Sequence, residues 1–244
     1  MKKPRRLRWD SEFFGIEIGA AAAADPEDIH RLTTFAVSSG IRLLYVSVPC
    51  GALETAAAAI GKSGAVLTDL RAVLHREVSL QPADVSDLPA GYTVEVASPQ
   101  TAPAAAELAR SCFRGRTRFY RDPGISGERC DDLYHRWVLR DSKDDSAVVL
   151  VCKYEGGIAG FATMIPRNGN MWKIGLVGVS PEYRGRGLGT AMMSRLISHA
   201  DSDGARMETV TQLDRHDAVR FYESLGFRLQ KVEFVVHLWT EGSG

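Results

Sequence analysis

The sequence predicts an α/β fold in two parts, a full unit of strands and helices over residues 92–244 and a smaller β-α-β-α-β unit before it, over residues 1–81. Three observations predict it. Short runs rich in Val, Ile and Leu alternate with helical stretches along the chain. Glu155-Gly156-Gly157 joins two of those runs with the chemistry of a hairpin turn. An apolar run ending at Val179 delivers a glycine-rich loop to the start of an amphipathic helix.

Leu7 to Ile16 mixes three aromatic side chains with Gly15 and reads as a short strand and a loop that docks those rings. Asp25-Pro26-Glu27-Asp28 is a helix start: a capping residue, Pro at the first helical position, and acids in the first turn. Ile29, Leu32, Phe35 and Ala36 keep a helical period, and Gly40 supplies the stop. Leu43 to Val48 is a buried strand ended by Pro49, and a weak Ala-rich helix follows over about 52–62. Residues 65–80 read as one or two strands. The stretch 82–91 holds two prolines, two aspartates and a glycine, so the boundary between the two parts is expected there.

The larger part opens with a strand near 92–97 and a helix begun by Ser98-Pro99, with Ala104, Leu108, Ala109 and Cys112 facing a core. The loop Phe113 to Gly124 then interleaves four arginines with three aromatic rings. Such a pattern suits a phosphorylated, ring-bearing ligand, through charge-assisted bonds and stacking, or a solvated basic loop. A helix over 128–140, strands over 147–154 and 158–165, and a turn at Asn168-Gly169-Asn170 lead to the strand ending at Val179. After the glycine loop come a helix to about 203, a strand over 206–213, a helix closed by Gly226 and a long strand over 227–239. The order is β-α-α-β-β-β-α-β-α-β.

Lys plus Arg and Asp plus Glu each number 30, so no net charge draws the protein to nucleic acid or an anionic membrane. The four cysteines are scattered without metal or redox spacing and read as free thiols; no metal is expected. The basic start Met1 to Arg6 has no apolar stretch behind it, since Ala20 to Ala24 is short and ends at Asp25. The expectation is a cytoplasmic enzyme with no signal peptide and no membrane span. Nothing in the sequence fixes the oligomeric state, and a homodimer stays open.

The chemistry gathers at Leu176 to Thr190. Gly185, Gly187 and Gly189 let the backbone approach a ligand, and the first turn of a helix offers unpaired N–H groups to a phosphate. Arg184 and Arg186 add fixed cationic donors. The loop matches neither the dinucleotide fingerprint nor a P-loop.

Arg184-x-x-Gly187-x-Gly189 after that strand, with Ala218 to Phe227 downstream, resembles the GCN5-related N-acetyltransferase (GNAT) family over roughly Tyr92 to Trp239. The resemblance implies the acyl-CoA N-acyltransferase fold, a mixed central sheet flanked by helices. Trp9 to Gly15, Thr117 to Tyr120, Tyr134 to Trp137 and Thr211 to Leu213 extend the likeness toward the TDP-fucosamine N-acetyltransferases, which act on a nucleotide-linked amino sugar. It then implies acetyl-CoA as co-substrate, held by Val177, Gly178, Val179, Arg184, Gly185, Arg186, Gly187, Leu188, Gly189 and Thr190. The backbone of Val177 and Val179 would pair with the pantetheine amides, and a backbone N–H of that strand would meet the oxyanion. Tyr222 stands where the family has a tyrosine acid for the departing thiolate. Arg118, Phe119, Tyr120 and Tyr134 would hold the acceptor, a small-molecule amine.

One position departs from the pattern. Seven residues before Tyr222, where many members have Asn, stands Arg215, which can meet a CoA phosphate instead. The general base is not readable; Glu208, Asp214, His216 and His135 are candidates. A protein N-terminus, amino acid, polyamine or aminoglycoside as acceptor, or a non-catalytic CoA-binding module, are the competing readings.

Overall fold

The computed structural model describes residues 3–79 and 88–240. Its strands are β1 (Arg5–Arg6), β2 (Ile18–Ala22), β3 (Leu43–Pro49), β4 (Ala65–Arg76), β5 (Tyr92–Val96), β6 (Val148–Tyr154), β7 (Gly157–Arg167), β8 (Met171–Val179), β9 (Arg206–Gln212) and β10 (Arg228–Trp239). Among the described residues they form one sheet in the order β1-β2-β3-β10-β4-β9-β8-β7-β6-β5. The pairs β2–β3 and β8–β9 are parallel and the other neighbours antiparallel, so the sheet is mixed. The helices are α1 (Arg8–Phe14), α2 (Pro26–Ser38), α3 (Leu53–Ile60), α4 (Ala102–Phe113), α5 (Gly127–Asp141), α6 (Leu188–Ser202) and α7 (His216–Ser224). None of them is long and apolar enough to cross a membrane.

Strand alternation distributes the core between two faces. On β3, Leu43 and Tyr45 join the cluster under α1, α4 and α5, while Leu44, Val46 and Val48 join the one under α2 and α3. Leu188, Met192, Met193, Leu196 and Ile197 of α6 pack with Ile174, Met164 and Leu74. Helices thus cover both faces of the sheet, and the predicted order over residues 92–239 is the observed one.

The strands of residues 1–81 and of residues 92–240 share this sheet, with β10 lying between β3 and β4. Of the expected linker, residues 82–87 lie outside the described residues.

Two local expectations are corrected. Residues 8–14 are a helix rather than a strand and loop, and the strand follows at 18–22. Trp9 and Phe13, four residues apart, stack at 5.7 Å on one face of α1, a pairing that only helical spacing permits. Gly15, at φ 68°, closes the helix, and Ser11 Oγ accepts the Ile18 N–H at 2.9 Å to fix the turn into β2. On α4 the buried stripe is Ala102, Ala105, Ala106, Ala109 and Cys112, so Ala104 faces solvent. By contrast Asp25 caps α2 as read: its carboxylate accepts the Asp28 N–H at 2.8 Å, with Pro26 in the first turn.

Candidate active site

The site begins where β8 leaves β9. Their parallel pairing covers only Met171–Lys173 against Arg206–Glu208, although β9 runs on to Gln212 beside β4 and β8 runs on to Val179 beside β7. Beyond Lys173 the two strands part. A bulge sits at this point, where three steps of β8, Ile174 to Val177, match two of β7. Gly175 makes the bulge possible, because a Cβ there would meet Thr163 Oγ1 at 2.4 Å. That hydroxyl accepts the Leu176 N–H at 3.0 Å.

The outer part of β8 offers its backbone to the opening. Ser180 N–H donates to Ala159 O across the β7 pairing. Period-two alternation then turns the peptide groups of Val177 and Val179 away from β7, toward the opening. The Val179 carbonyl accordingly accepts from Arg184 Nε at 3.1 Å instead of from a strand. Gly178 faces the other way, where a Cβ would strike Phe161 at 2.6 Å.

At the end of β8 the glycine loop turns into α6. Gly185 and Gly187 have φ of 75° and 76°, a region costly for side-chain-bearing residues. Ala191 N–H reaches Gly187 O, but among the described residues no protein acceptor meets the N–H groups of Gly185 to Thr190. These are the orphan donors of a helix start, at the positive end of its dipole. Leu188 is buried under α6, and the Gly189 Cα lies close to Phe221, where a Cβ would sit 3.4 Å from the ring.

A cleft of about 720 Å³ joins these parts. Val177, Gly178, Val179 and Arg184 line one side, Val210 to Gln212 the other, and Arg215, Ala218 and Tyr222 of the α7 region its end. Burial pushes the Tyr222 phenol up, against a pull from the Thr209 hydroxyl, so it carries its proton at neutral pH. Arg215 is held by Asp217, Nη2 to Oδ2 at 2.8 Å. Arg186 turns out of the cleft: its Nη1 donates to the Tyr92 hydroxyl at 2.9 Å, and the guanidinium lies over Tyr183.

The far wall carries the arginine loop. Arg118 lies over the rings of Tyr45 and Phe119, at 4.3 and 4.2 Å, and its Nη1 is 2.9 Å from His237 Nε2. Arginine can only donate, so Nε2 accepts and Nδ1–H is the donor to Asp122 Oδ2, at 2.5 Å. Burial holds the His237 imidazole down at about 4, with Asp122 opposing and Arg118 assisting. Phe119 and Tyr134 also line the cleft, and the Tyr134 hydroxyl donates to Thr117 Oγ1 at 2.6 Å. Tyr120 does not reach it; its hydroxyl is bound to Asp131.

None of the four expected bases lines this cleft. Burial would raise Glu208, but Lys173 at 3.1 Å and His75 at 3.3 Å hold it low. Asp214 pairs with Arg121, His135 sits beside Glu107, and His216 is exposed. The carboxylates that do line it are Asp10 of α1, Asp69 of β4, Asp141 at the end of α5, Asp144 and Asp217. Burial pushes Asp10 and Asp141 up and Asp69 to about 6, in each case against nearby arginines. Sequence reasoning passed over Asp10, Asp69 and Asp141. The signal was an acid on a buried face: Asp69 interrupts the run Val66-Leu67-Thr68-Asp69-Leu70, and Asp141 continues the inward stripe Leu133, Tyr134, Val138.

Comparison with known proteins bears on the family and the fold. A curated relative, the spore coat polysaccharide biosynthesis protein SpsD of Bacillus subtilis, is 24% identical over 164 residues, 67% of this chain and 56% of that protein. The chain therefore spans little more than half the length of that relative. Among solved structures, a GCN5-related N-acetyltransferase from Kribbella flavida superposes with a TM-score of 0.63 at 17% identity, over 96% of this chain and 89% of that one. Another, from Sphaerobacter thermophilus, gives 0.59 at 19% identity, over 82% and 61%. These two establish likeness of fold. The family model of the acetyltransferase (GNAT) family matches residues 104–227, the stretch that runs from α4 through the parted strands and the glycine loop to α7, and the chain belongs to that family.

Proposed function

We propose that the protein transfers acetyl from acetyl-CoA to the primary amine of a nucleotide-linked amino sugar, by direct attack on the thioester. One observation carries the reading: the unpaired amides of Gly185 to Thr190 follow directly, through Arg184, on the backbone edge of Val177 and Val179 that lines the cleft and that β7 leaves unpaired. A diphosphate fits the first and an extended chain of amides the second, which together describe coenzyme A. Arg184 and Arg215 stand ready for its phosphates, and Arg186 braces the loop through Tyr92. A strand N–H at Val177 is the donor for the oxyanion, and the protonated Tyr222 phenol supplies the departing thiolate.

The acceptor side supports an anionic, ring-bearing substrate. Arg118 is fixed in the cleft wall by two rings and by His237, and Arg5, Arg8, Arg71, Arg116 and Arg140 line the same cleft. Such a cluster suits a nucleoside diphosphate and disfavours a polyamine. The name of the SpsD relative points to polysaccharide synthesis, which uses activated sugars. Residues 1–81 contribute Trp9, Asp10, Asp69 and Arg71 to this wall, so in our reading the smaller unit helps to bind the acceptor. Acetyl-CoA and activated sugars are cytoplasmic metabolites, and the reading carries that location with it.

Thiol release from acetyl-CoA tests the proposal, with TDP-linked amino sugars, a peptide N-terminus, amino acids, spermidine and an aminoglycoside offered in turn. Turnover confined to the nucleotide sugars is the expected result. Turnover confined to another acceptor would overturn the sugar assignment, and binding of CoA without any turnover would leave a non-catalytic module.

A further inference from the structure

We propose that Asp141 is the proton acceptor of this reaction, the carboxylate that takes a proton from the incoming ammonium. The role rests on the acetyl transfer proposed above.

Position comes first. With the diphosphate at the glycine loop, the acyl end of the co-substrate lies further back along β8, toward the point where β8 and β9 part. That point is Gly175, two residues beyond the last pair, Lys173–Glu208. Asp141 Oδ2 lies 3.4 Å from where a Cβ of Gly175 would stand. The carboxylate therefore sits at the root of the opening and lines the cleft.

Availability comes second. Asp141 is only 2% exposed, and its Oδ2 makes no hydrogen bond of normal length among the described residues, although the Thr163 hydroxyl acts on the carboxylate. Buried carboxylate oxygens are rarely left without a full donor, and one on a residue that lines a cleft marks where a donor belongs. Its other oxygen is fixed by Arg140, at 2.6 and 2.9 Å. Arg140 is held in turn over the rings of Trp9 at 4.8 Å and Trp137 at 5.3 Å.

Environment comes third. Burial raises the proton affinity of Asp141, and Asp144 adds to it, against Arg140 and the Thr163 hydroxyl. Lys173 and Arg167 of the adjoining strands and Asp10 of α1 are among the further charged groups that line the cleft. An acid whose affinity moves toward that of an amine is the better base at neutral pH. Asp69 also has an unpartnered oxygen, but it stands on β4, across β9 from β8, within 4.0 Å of Arg121.

The step balances as follows. The ammonium gives one proton to Asp141, and the freed lone pair forms the C–N bond at the thioester carbonyl. Collapse of the tetrahedral oxyanion breaks the C–S bond. The leaving sulfur takes a proton from Tyr222, which regains one from the new amide nitrogen. Three protons on nitrogen become one on the amide, one on the thiol and one on Asp141.

Asp141→Asn tests this on whichever amine the wild type turns over fastest. The expected result is a fall in kcat of about 100-fold or more at pH 7, with the acetyl-CoA Kd unchanged. The deficit should shrink as pH rises toward the pKa of the acceptor amine, and added formate should restore part of the rate to Asp141→Gly. Where Asn disrupts folding, Asp141→Ser takes its place in the same pH series. A kcat within about threefold of wild type, or a deficit equal at every pH with no formate rescue, would overturn the role while leaving the transferase reading intact. A wild type that acetylates no amine would overturn both.

Discussion

Gly175→Ala puts the bulge to the test. The new Cβ would stand 2.4 Å from Thr163 Oγ1, closer than any such contact can persist, and 3.4 Å from Asp141 Oδ2. Thr163 is fully buried and β-branched, so its side chain has little freedom to yield. If it rotates, the Leu176 N–H loses its acceptor in the interior, at a cost of about 1–3 kcal/mol. If the backbone yields instead, overpacking costs about as much, ~1–3 kcal/mol. Either way we expect a loss of roughly 1–3 kcal/mol, and a melting midpoint lower by roughly 3–10 °C for a chain of this size. Thermal denaturation followed by circular dichroism reads the effect. The cause is isolated by Thr163→Ala: with the hydroxyl already gone, the added methyl should cost little, and the two single losses should exceed that of the double variant by ~1 kcal/mol or more. Losses that simply add, or a Gly175→Ala midpoint within about 2 °C of wild type, would show that the contact does not shape this strand.

Four further outcomes follow from the site. Tyr222→Phe should lower kcat by roughly 10²–10⁴-fold while leaving acetyl-CoA binding in place; unchanged turnover would remove the acid role. Arg118→Ala should raise the acceptor KM and spare that of acetyl-CoA, and equal effects on both would contradict its assignment to the acceptor wall. Gly187→Ala forces a side chain to φ 76°, at about 1–2 kcal/mol, and calorimetry should find CoA binding weakened. His237 is held at about 4 against 6.5, so between those values the unfolded chain binds a proton that the folded protein refuses, and stability falls as pH drops through that window. The stability of wild type relative to His237→Gln should shrink from pH 6.5 to 4 in urea titrations; a constant difference would mean the imidazole is protonated in the fold.

Much of this was legible because the residues concerned act locally. Asp25-Pro26 caps a helix whatever surrounds it, and the positive φ of Gly185 and Gly187 is a demand of the backbone that the loop declares in its letters. Trp9 to Phe13 misled because aromatic residues carry no strong preference between helix and strand; the stacking of Trp9 on Phe13 and the proximity of Trp137 decide it, and both are tertiary. Arg186 and Tyr120 have the right chemistry for a ligand, but Tyr92 and Asp131 reach them first, from 94 and 11 residues away in sequence. The base candidates failed in the same way. Titratable side chains can be picked from the letters, whereas the cleft that selects among them is built from α1, β4 and the end of α5, which meet only in the fold.

The place of β10 has a consequence for how this protein is made. β3 and β4 are synthesised early, yet the strand that joins them comes after every other strand has emerged. Until then each of them presents an unsatisfied edge, and Arg71 waits for Glu233 just as Arg118 waits for His237. Closing such distant pairings is slow, and bare edges invite association with other chains. The wall of the cleft that carries Arg118 is thus completed only once β10 has emerged, and a chain lacking β10 would have the glycine loop without that wall.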